Sequence, residues 1–300
     1  MKIAVLGPGG VGGLLAAALD RDGHEVVVVA QESTAELIAE RGIAVSSVAF
    51  GELIARPRAV AELAEPVDAL LVATKALGLE EALERIQVEP ALVLPLLNGL
   101  DHLAVLRRRF ASDTVLAGSI RVEADRPQPG VVVHTSPFLL VSMAGAPAFD
   151  QPMRRLAEAI DHAGVETKVL DSEADVMWSK LVRLNALACT TSAYDKLLGE
   201  IRSTPELRAD LVGTMEEAAA AGRAEGADVD AVRAIAELDR AHETLGSSMQ
   251  RDIAAGRMPE LDAIPGSVLR AAARHGLTCP TIDRLVTIIA ARAGIDPPRV

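Results

Sequence analysis

The residues of this chain best suited to hold a phosphate are three glycines, Gly7, Gly9 and Gly12, in the run Gly7-Pro8-Gly9-Gly10-Val11-Gly12-Gly13. In a strand-to-helix turn the first glycine permits the tight bend, the second lets the backbone approach a pyrophosphate, and the third lets helix and strand pack closely. The N–H groups at the start of the helix, where Gly10 and Val11 lie, then face the phosphates together with the positive end of the helix dipole. Further along stand an ammonium, an amide, a second ammonium, two hydroxyls and a carboxylate: Lys75, Asn98, Lys180, Ser247-Ser248 and Glu260. Lys75, after Thr74, and Asn98 both follow apolar runs that read as strands, at the carboxyl edge where open α/β sheets bind ligands. Each also has a plainer reading. The lysines suit a solvated surface, Asn98 before Gly99 suits a turn, and Glu260 after Pro259 suits the first turn of a helix.

The elements that must position these groups follow from periodicity. The glycine run sits between the apolar strand Lys2-Ile3-Ala4-Val5-Leu6 and the helical run Leu14-Leu15-Ala16-Ala17-Ala18-Leu19, and a second strand, Glu25-Val26-Val27-Val28-Val29-Ala30, comes next. Ser33-Thr34 are expected to cap a helix ending at Gly42. Residues 43–61 predict a strand pair inserted in the sheet. The unbroken apolar run Asp68-Ala69-Leu70-Leu71-Val72-Ala73 predicts a parallel strand covered on both faces. A helix over 77–85 and a buried strand over 91–94 follow. Three antiparallel strands are expected over 115–124, 130–135 and 138–142, then a helix over 151–162 and a strand over 165–170. After Asp171 the period changes: Met177, Leu181 and Leu184, then Leu207, Leu211, Met215 and Ala218, recur at helical spacing. The reading is a Rossmann-type α/β domain over residues 1–171 and an all-helical domain over 172–300, with a substrate cleft expected between them.

Composition narrows the partners. Asp and Glu exceed Lys and Arg by 42 to 30, a net charge of −12, which disfavours a nucleic-acid backbone as partner. Two cysteines, Cys189 and Cys279, are too few for a disulfide framework and lack metal-ligand spacing, so no metal is expected. No signal peptide and no bilayer-spanning run is read, and a cytoplasmic location is the expectation.

The separated motifs taken together resemble the ketopantoate reductase (2-dehydropantoate 2-reductase) family over nearly the whole chain. The resemblance rests on the glycine turn, Thr74-Lys75, Leu97-Asn98-Gly99, Pro129-Gly130-Val131, Trp178-Ser179-Lys180-Leu181, Ser247-Ser248-Met249-Gln250-Arg251-Asp252 and Glu260-Leu261-Asp262-Ala263-Ile264-Pro265-Gly266. It implies NADPH-dependent reduction of ketopantoate to pantoate, in pantothenate biosynthesis, by a small-molecule oxoacid reductase for which a homodimer is one expectation. By motif position Lys180 matches the general acid and Glu260 its carboxylate partner. Ser248 matches the hydroxyl that holds the substrate carboxylate, and Lys75 and Asn98 match residues at nicotinamide and substrate. The chemistry is coherent: hydride arriving at a ketone carbon leaves charge on oxygen, which an ammonium stabilises and protonates.

The chain departs from the family's pattern in two places. Leu184, Ala188 and Leu245 occupy positions where the family commonly carries asparagines, and Asn185, the nearby candidate, lies about 140° round an ideal helix from Lys180. At the end of the second strand Gln31-Glu32 replaces the arginine suited to the 2′-phosphate of NADPH, which opens NAD as a cofactor. The alternatives are therefore a reductase of another 2-oxoacid or 3-oxoacid, or a nicotinamide-nucleotide sensor without catalysis. Retention of Lys180, Ser248 and Glu260 together argues against the sensor.

Overall fold

The computed structural model describes residues 1–299, and its chain divides into two compact units: Met1–Leu97 with His102–Val176, and Asn98–Asp101 with Met177–Val300. The first unit is built on a parallel sheet of β1 (Lys2–Leu6), β2 (Glu25–Val29), β5 (Arg58–Val60), β6 (Ala69–Val72) and β7 (Val93–Pro95), in the order β5-β2-β1-β6-β7. Between these strands run α1 (Gly10–Arg21), α2 (Glu32–Arg41), the hairpin strands β3 (Ile43–Ser47) and β4 (Gly51–Ala55), and α3 (Leu79–Leu83). The strand period of two sends Ile3, Val5, Val26, Val28 and Leu71 to one buried cluster, and Ala4, Leu6, Val27, Val29, Leu70 and Val72 to another. Both faces being covered is the reason the strands read as unbroken apolar runs.

The rest of the unit is α4 (His102–Arg109), β8 (Ala117–Arg121), β9 (Ala124–Gln128), β10 (Val131–His134), β11 (Leu140–Ala144), α5 (Asp150–His162) and β12 (Glu166–Val169). These strands form two further sheets, β4-β3-β10-β9 and β12-β11-β8. Several expectations need correction. The pair over 43–61 is three strands: β3 and β4 join the second sheet and only β5 joins the parallel one. The span 115–142 holds four strands in mixed order, since β10 runs parallel to β3 and β11 parallel to β12. The helix near residue 80 is a short 3-10 turn followed by the five-residue α3. Helix α2 begins at Glu32, so Ser33 and Thr34 lie inside it and Gln31 is the N-cap residue, without a side-chain cap bond. Gly42 does end it, at φ +79°.

The second unit is helical. α6 (Glu173–Tyr194) begins in the first unit and continues into this one, followed by α7 (Leu198–Ser203), α8 (Pro205–Ala224), α9 (Ala231–Arg240), α10 (Ser248–Ala254), a π-helical turn over Asp262–Gly266, α11 (Ser267–Arg274) and α12 (Pro280–Ala293). α8 is the hub, packing against α7, α9, α11 and α12. Gly222 on α8 lets the buried Trp178 ring of α6 come close: a Cβ there would stand 3.0 Å from it. No helix among the described residues is long and apolar enough to cross a membrane.

Candidate functional site

In the first unit, β1 has β2 on one side and β6 on the other, so the chain winds outward in both directions from it. The glycine turn that follows β1 therefore lies at the switch point of the sheet, where such sheets bind ligands. Gly7 has φ +89°, and its N–H donates to the Val29 carbonyl at 3.0 Å. The packing separates the other glycines by role. A Cβ on Gly12 would stand 2.2 Å from the Gly7 carbonyl oxygen, and one on Gly10 would stand 2.2 Å from that of Ala124, so both are required by close backbone packing. A Cβ on Gly9 would meet nothing within 4 Å. Gly9 is the N-cap of the twelve-residue α1, so the open space lies over the helix N-terminus. Val11 is half-buried against the core beneath.

Thr74 stands beside this turn, its methyl 2.9 Å from where a Gly7 Cβ would be, and its buried Oγ1 has no hydrogen-bond partner. A buried hydroxyl left unpaired is costly, which fits a donor or acceptor kept for a ligand. Lys75 is exposed at the start of the 3-10 turn, and Gln31 and Glu32 are exposed at the end of β2. An open backbone cradle at a helix N-terminus with an unpaired hydroxyl at its side fits a dinucleotide pyrophosphate.

In the second unit, three segments far apart in sequence converge. The Lys180 ammonium on α6 donates to Asn98 Oδ1 at 2.8 Å, and Asn98 Nδ2 donates to Glu260 Oε2 at 3.0 Å. An amide can satisfy a cation and a carboxylate together only in this orientation, with its oxygen toward the ammonium and its nitrogen toward the carboxylate. Lys180, Asn98 and Glu260 are each half-buried. The turn carrying Asn98 depends on Gly99, which has φ +85° and whose Cβ would fall 1.8 Å from the Ala263 carbonyl oxygen. Only glycine allows that approach.

Ser248 is exposed as the first residue of α10. Its neighbour Ser247 is the buried N-cap, accepting from the Gln250 N–H at 3.0 Å and standing 2.7 Å from Thr191 Oγ1 on α6. Asn185 is fully buried; its Oδ1 lies 3.6 Å from Cys189 Sγ and its Nδ2 has no partner. Leu184 and Leu245 are half-buried and Ala188 is fully buried. Residues not singled out from sequence also hold this region, notably Thr191, Asp101 and Arg270. Thr191 was detectable as the residue three helical turns beyond Lys180 on the same face.

A parallel sheet with a glycine turn at its switch point, followed by a helical unit that carries a hydrogen-bonded lysine, is the build of an oxidoreductase acting on a CH–OH/C=O group, and the comparisons place the chain in that class. The chain belongs to the ketopantoate reductase family. Residues 3–142 match the family model described as ketopantoate reductase PanE/ApbA, and residues 174–293 match its C-terminal counterpart. It is 32% identical to a 2-dehydropantoate 2-reductase of Mycobacterium tuberculosis over 96% of this chain and 97% of that one. A solved 2-dehydropantoate 2-reductase from Geobacter metallireducens superposes with TM-score 0.87 at 25% identity, covering 97% of this chain and 99% of the other. A D-mandelate dehydrogenase solved with NADH and anilino(oxo)acetate has the same fold, with TM-score 0.88, 22% identity and coverage of 98% and 99%.

Proposed function

We propose that this chain reduces 2-dehydropantoate to pantoate with NADPH, residues 1–171 binding the cofactor and 172–300 the substrate. The observation that carries the reading is the hydrogen-bonded series Lys180, Asn98, Glu260. The glycine turn with Gly7, Gly9, Gly10, Val11 and Gly12 holds the pyrophosphate, Thr74 Oγ1 bonds to the cofactor, and Gln31 faces the ribose. Reduced nicotinamide, when bound, supplies the hydride. Lys180 Nζ stabilises the charge that develops on the substrate oxygen and delivers the proton, becoming a neutral amine that solvent reprotonates. Asn98 fixes the direction of that ammonium through Oδ1, and the Glu260 carboxylate fixes Asn98 in turn. Ser248 takes the substrate carboxylate as a hydroxyl donor, and Lys75 serves nicotinamide and substrate as a cation.

One observation favours a second reading, a reductase of a different 2-oxoacid. Leu184 lies one helical turn beyond Lys180, about 40° round the axis, so the helix face next to Lys180 carries an apolar side chain there. An apolar wall discriminates weakly against a missing hydroxyl, whereas a site built to bond one rejects the analogue strongly. Ketopantoate is therefore expected to be preferred over 2-oxoisovalerate by less than ~100-fold in kcat/KM. The test is oxidation of NADPH and of NADH against a panel of 2-oxoacids, with Lys180→Ala alongside. That variant should lose at least ~100-fold in kcat while binding cofactor normally. Full activity in Lys180→Ala removes the mechanism, and brisk turnover of another oxoacid with none of ketopantoate selects the second reading.

A further inference from the structure

The turn Asn98–Asp101 packs with the helical unit although it lies between β7 and α4 of the other. Its first residue supplies the amide between Lys180 and Glu260. Its last residue, Asp101, is held by Arg270 of α11, whose Nη2 and Nε donate to Asp101 Oδ2 at 2.6 and 3.2 Å. The same guanidinium donates from Nη1 to Asp262 Oδ1 at 2.8 Å and from Nη2 to the Asp262 carbonyl at 2.9 Å. Asp262 opens the π-helical turn two residues after Glu260. Two short segments are thus pinned to each other at both ends: Asn98 to Glu260 at one, Asp101 through Arg270 to Asp262 at the other. Between the pins, the Gly99 backbone lies against Ala263 without room for a side chain.

We infer that Arg270 is a positioning residue for the reduction, holding the 98–101 turn on the 260–263 segment so that the Asn98 amide stays between the Lys180 ammonium and the Glu260 carboxylate. The inference rests on the proposed role of Lys180. A planar fork with five donors can grip a carboxylate on each side and a carbonyl at once, which the point charge of a lysine cannot. Loss of the fork leaves the turn held by the Asn98 side chain and the Gly99–Ala263 contact, with its Asp101 end released. The ammonium then samples more directions, and the cost falls on the proton-transfer step, not on cofactor binding.

The test is steady-state kinetics of Arg270→Ala, Arg270→Lys and Asp101→Asn, with and without Asn98→Ala, on the oxoacid that the wild type turns over fastest. Arg270→Ala is expected to lower kcat about tenfold with the KM for cofactor within twofold of wild type. Asp101→Asn, which removes one grip without emptying space, should show a smaller fall in the same direction and serves if Arg270→Ala does not fold. In the Asn98→Ala background, Arg270→Ala or Asp101→Asn should change kcat less than twofold, because the group being positioned is gone. An unchanged kcat in folded Arg270→Ala, a rise in cofactor KM in place of the fall in kcat, or full additivity with Asn98→Ala would each overturn the inference. Failure of the Lys180 mechanism reads out separately, as full activity in Lys180→Ala.

Discussion

The glycine turn of the first unit and the Lys180, Asn98 and Glu260 series of the second are two ways of building a site. The turn is made of backbone: its working groups are N–H donors and open space, and its sequence is contiguous. The series is made of side chains drawn from residues 98, 180 and 260, joined by hydrogen bonds between segments 82 and 162 positions apart. A backbone site is held by what is missing, since added Cβ atoms at Gly10 and Gly12 would collide with carbonyl oxygens at 2.2 Å. A side-chain site is held by what is present, so it tolerates small structural errors less evenly. Substitution in the turn should therefore separate binding from folding.

Binding and folding should part most widely at Gly9. Its Cβ has nothing within 4 Å, its φ is −76°, and it is the N-cap of α1, a position where aspartate is favourable. Gly9→Asp should therefore keep the melting temperature of wild type and abolish binding of both nicotinamide cofactors, by placing a carboxylate where an anion must sit. Gly12→Ala should do the reverse first, costing about 1–3 kcal/mol of stability by overpacking against Gly7. Calorimetric titration beside thermal melts checks both. Unchanged cofactor affinity in Gly9→Asp would show that the open space over α1 is not a phosphate site.

Gln31 should show a smaller effect, confined to the choice between cofactors. The turn offers only backbone, so under the proposed function cofactor choice falls to side chains after β2, where Gln31 and Glu32 are exposed. Gln31→Arg should raise the NADPH over NADH ratio of kcat/KM about tenfold, the scale of one charge-assisted contact to phosphate, on the order of 1–2 kcal/mol. A constant ratio would move ribose recognition to another residue.

What the sequence made legible follows the same division. The parallel strands were readable because both faces are buried, so each reads as an apolar run, and the glycine turn because its chemistry is contiguous. The β3–β4 hairpin joins a sheet that its sequence does not indicate: Val45 and Ile43 are buried but Ile54 and Val48 are largely exposed, so the alternation that fixes a sheet partner is weak there. Lys180, Asn98 and Glu260 each stand out by motif position, but the amide's place between the two charges does not, since no local pattern encodes a contact over 162 positions. Arg270 was invisible for a related reason. An arginine after Ser267-Val268-Leu269 on an amphipathic helix reads as a solvated face until Asp101 and Asp262 are seen against it.

The smallest effect concerns the packing under the glycine turn. Gly10 lies on Ala124 of β9, and a Cβ on Gly13 would meet Val132 of β10 at 2.7 Å, so α1 rests on the β4-β3-β10-β9 sheet. That sheet is joined internally by His134 on β10, whose Nδ1 is 2.8 Å from Ser47 Oγ and whose Nε2 is 3.3 Å from Ser136 Oγ. Burial holds the His134 imidazole below its ordinary value of 6.5, against the opposing pull of its hydrogen-bonding surroundings and of Glu123. The unfolded chain then takes up the proton first. Stability from the neutral ring is complete above about pH 6.5 and declines as the pH falls through the folded value. The expected loss is on the order of 1 kcal/mol, the scale of one buried hydrogen-bonded group. The protein's one tryptophan, Trp178, is buried in the helical unit. Between pH 7.5 and 5.5 the melting of the first unit should weaken while the Trp178 emission transition moves little, and His134→Gln should remove the difference. Equal acid sensitivity in both probes, or a slope that survives in His134→Gln, would mean that the sheet under the glycine turn does not owe its pH response to this histidine.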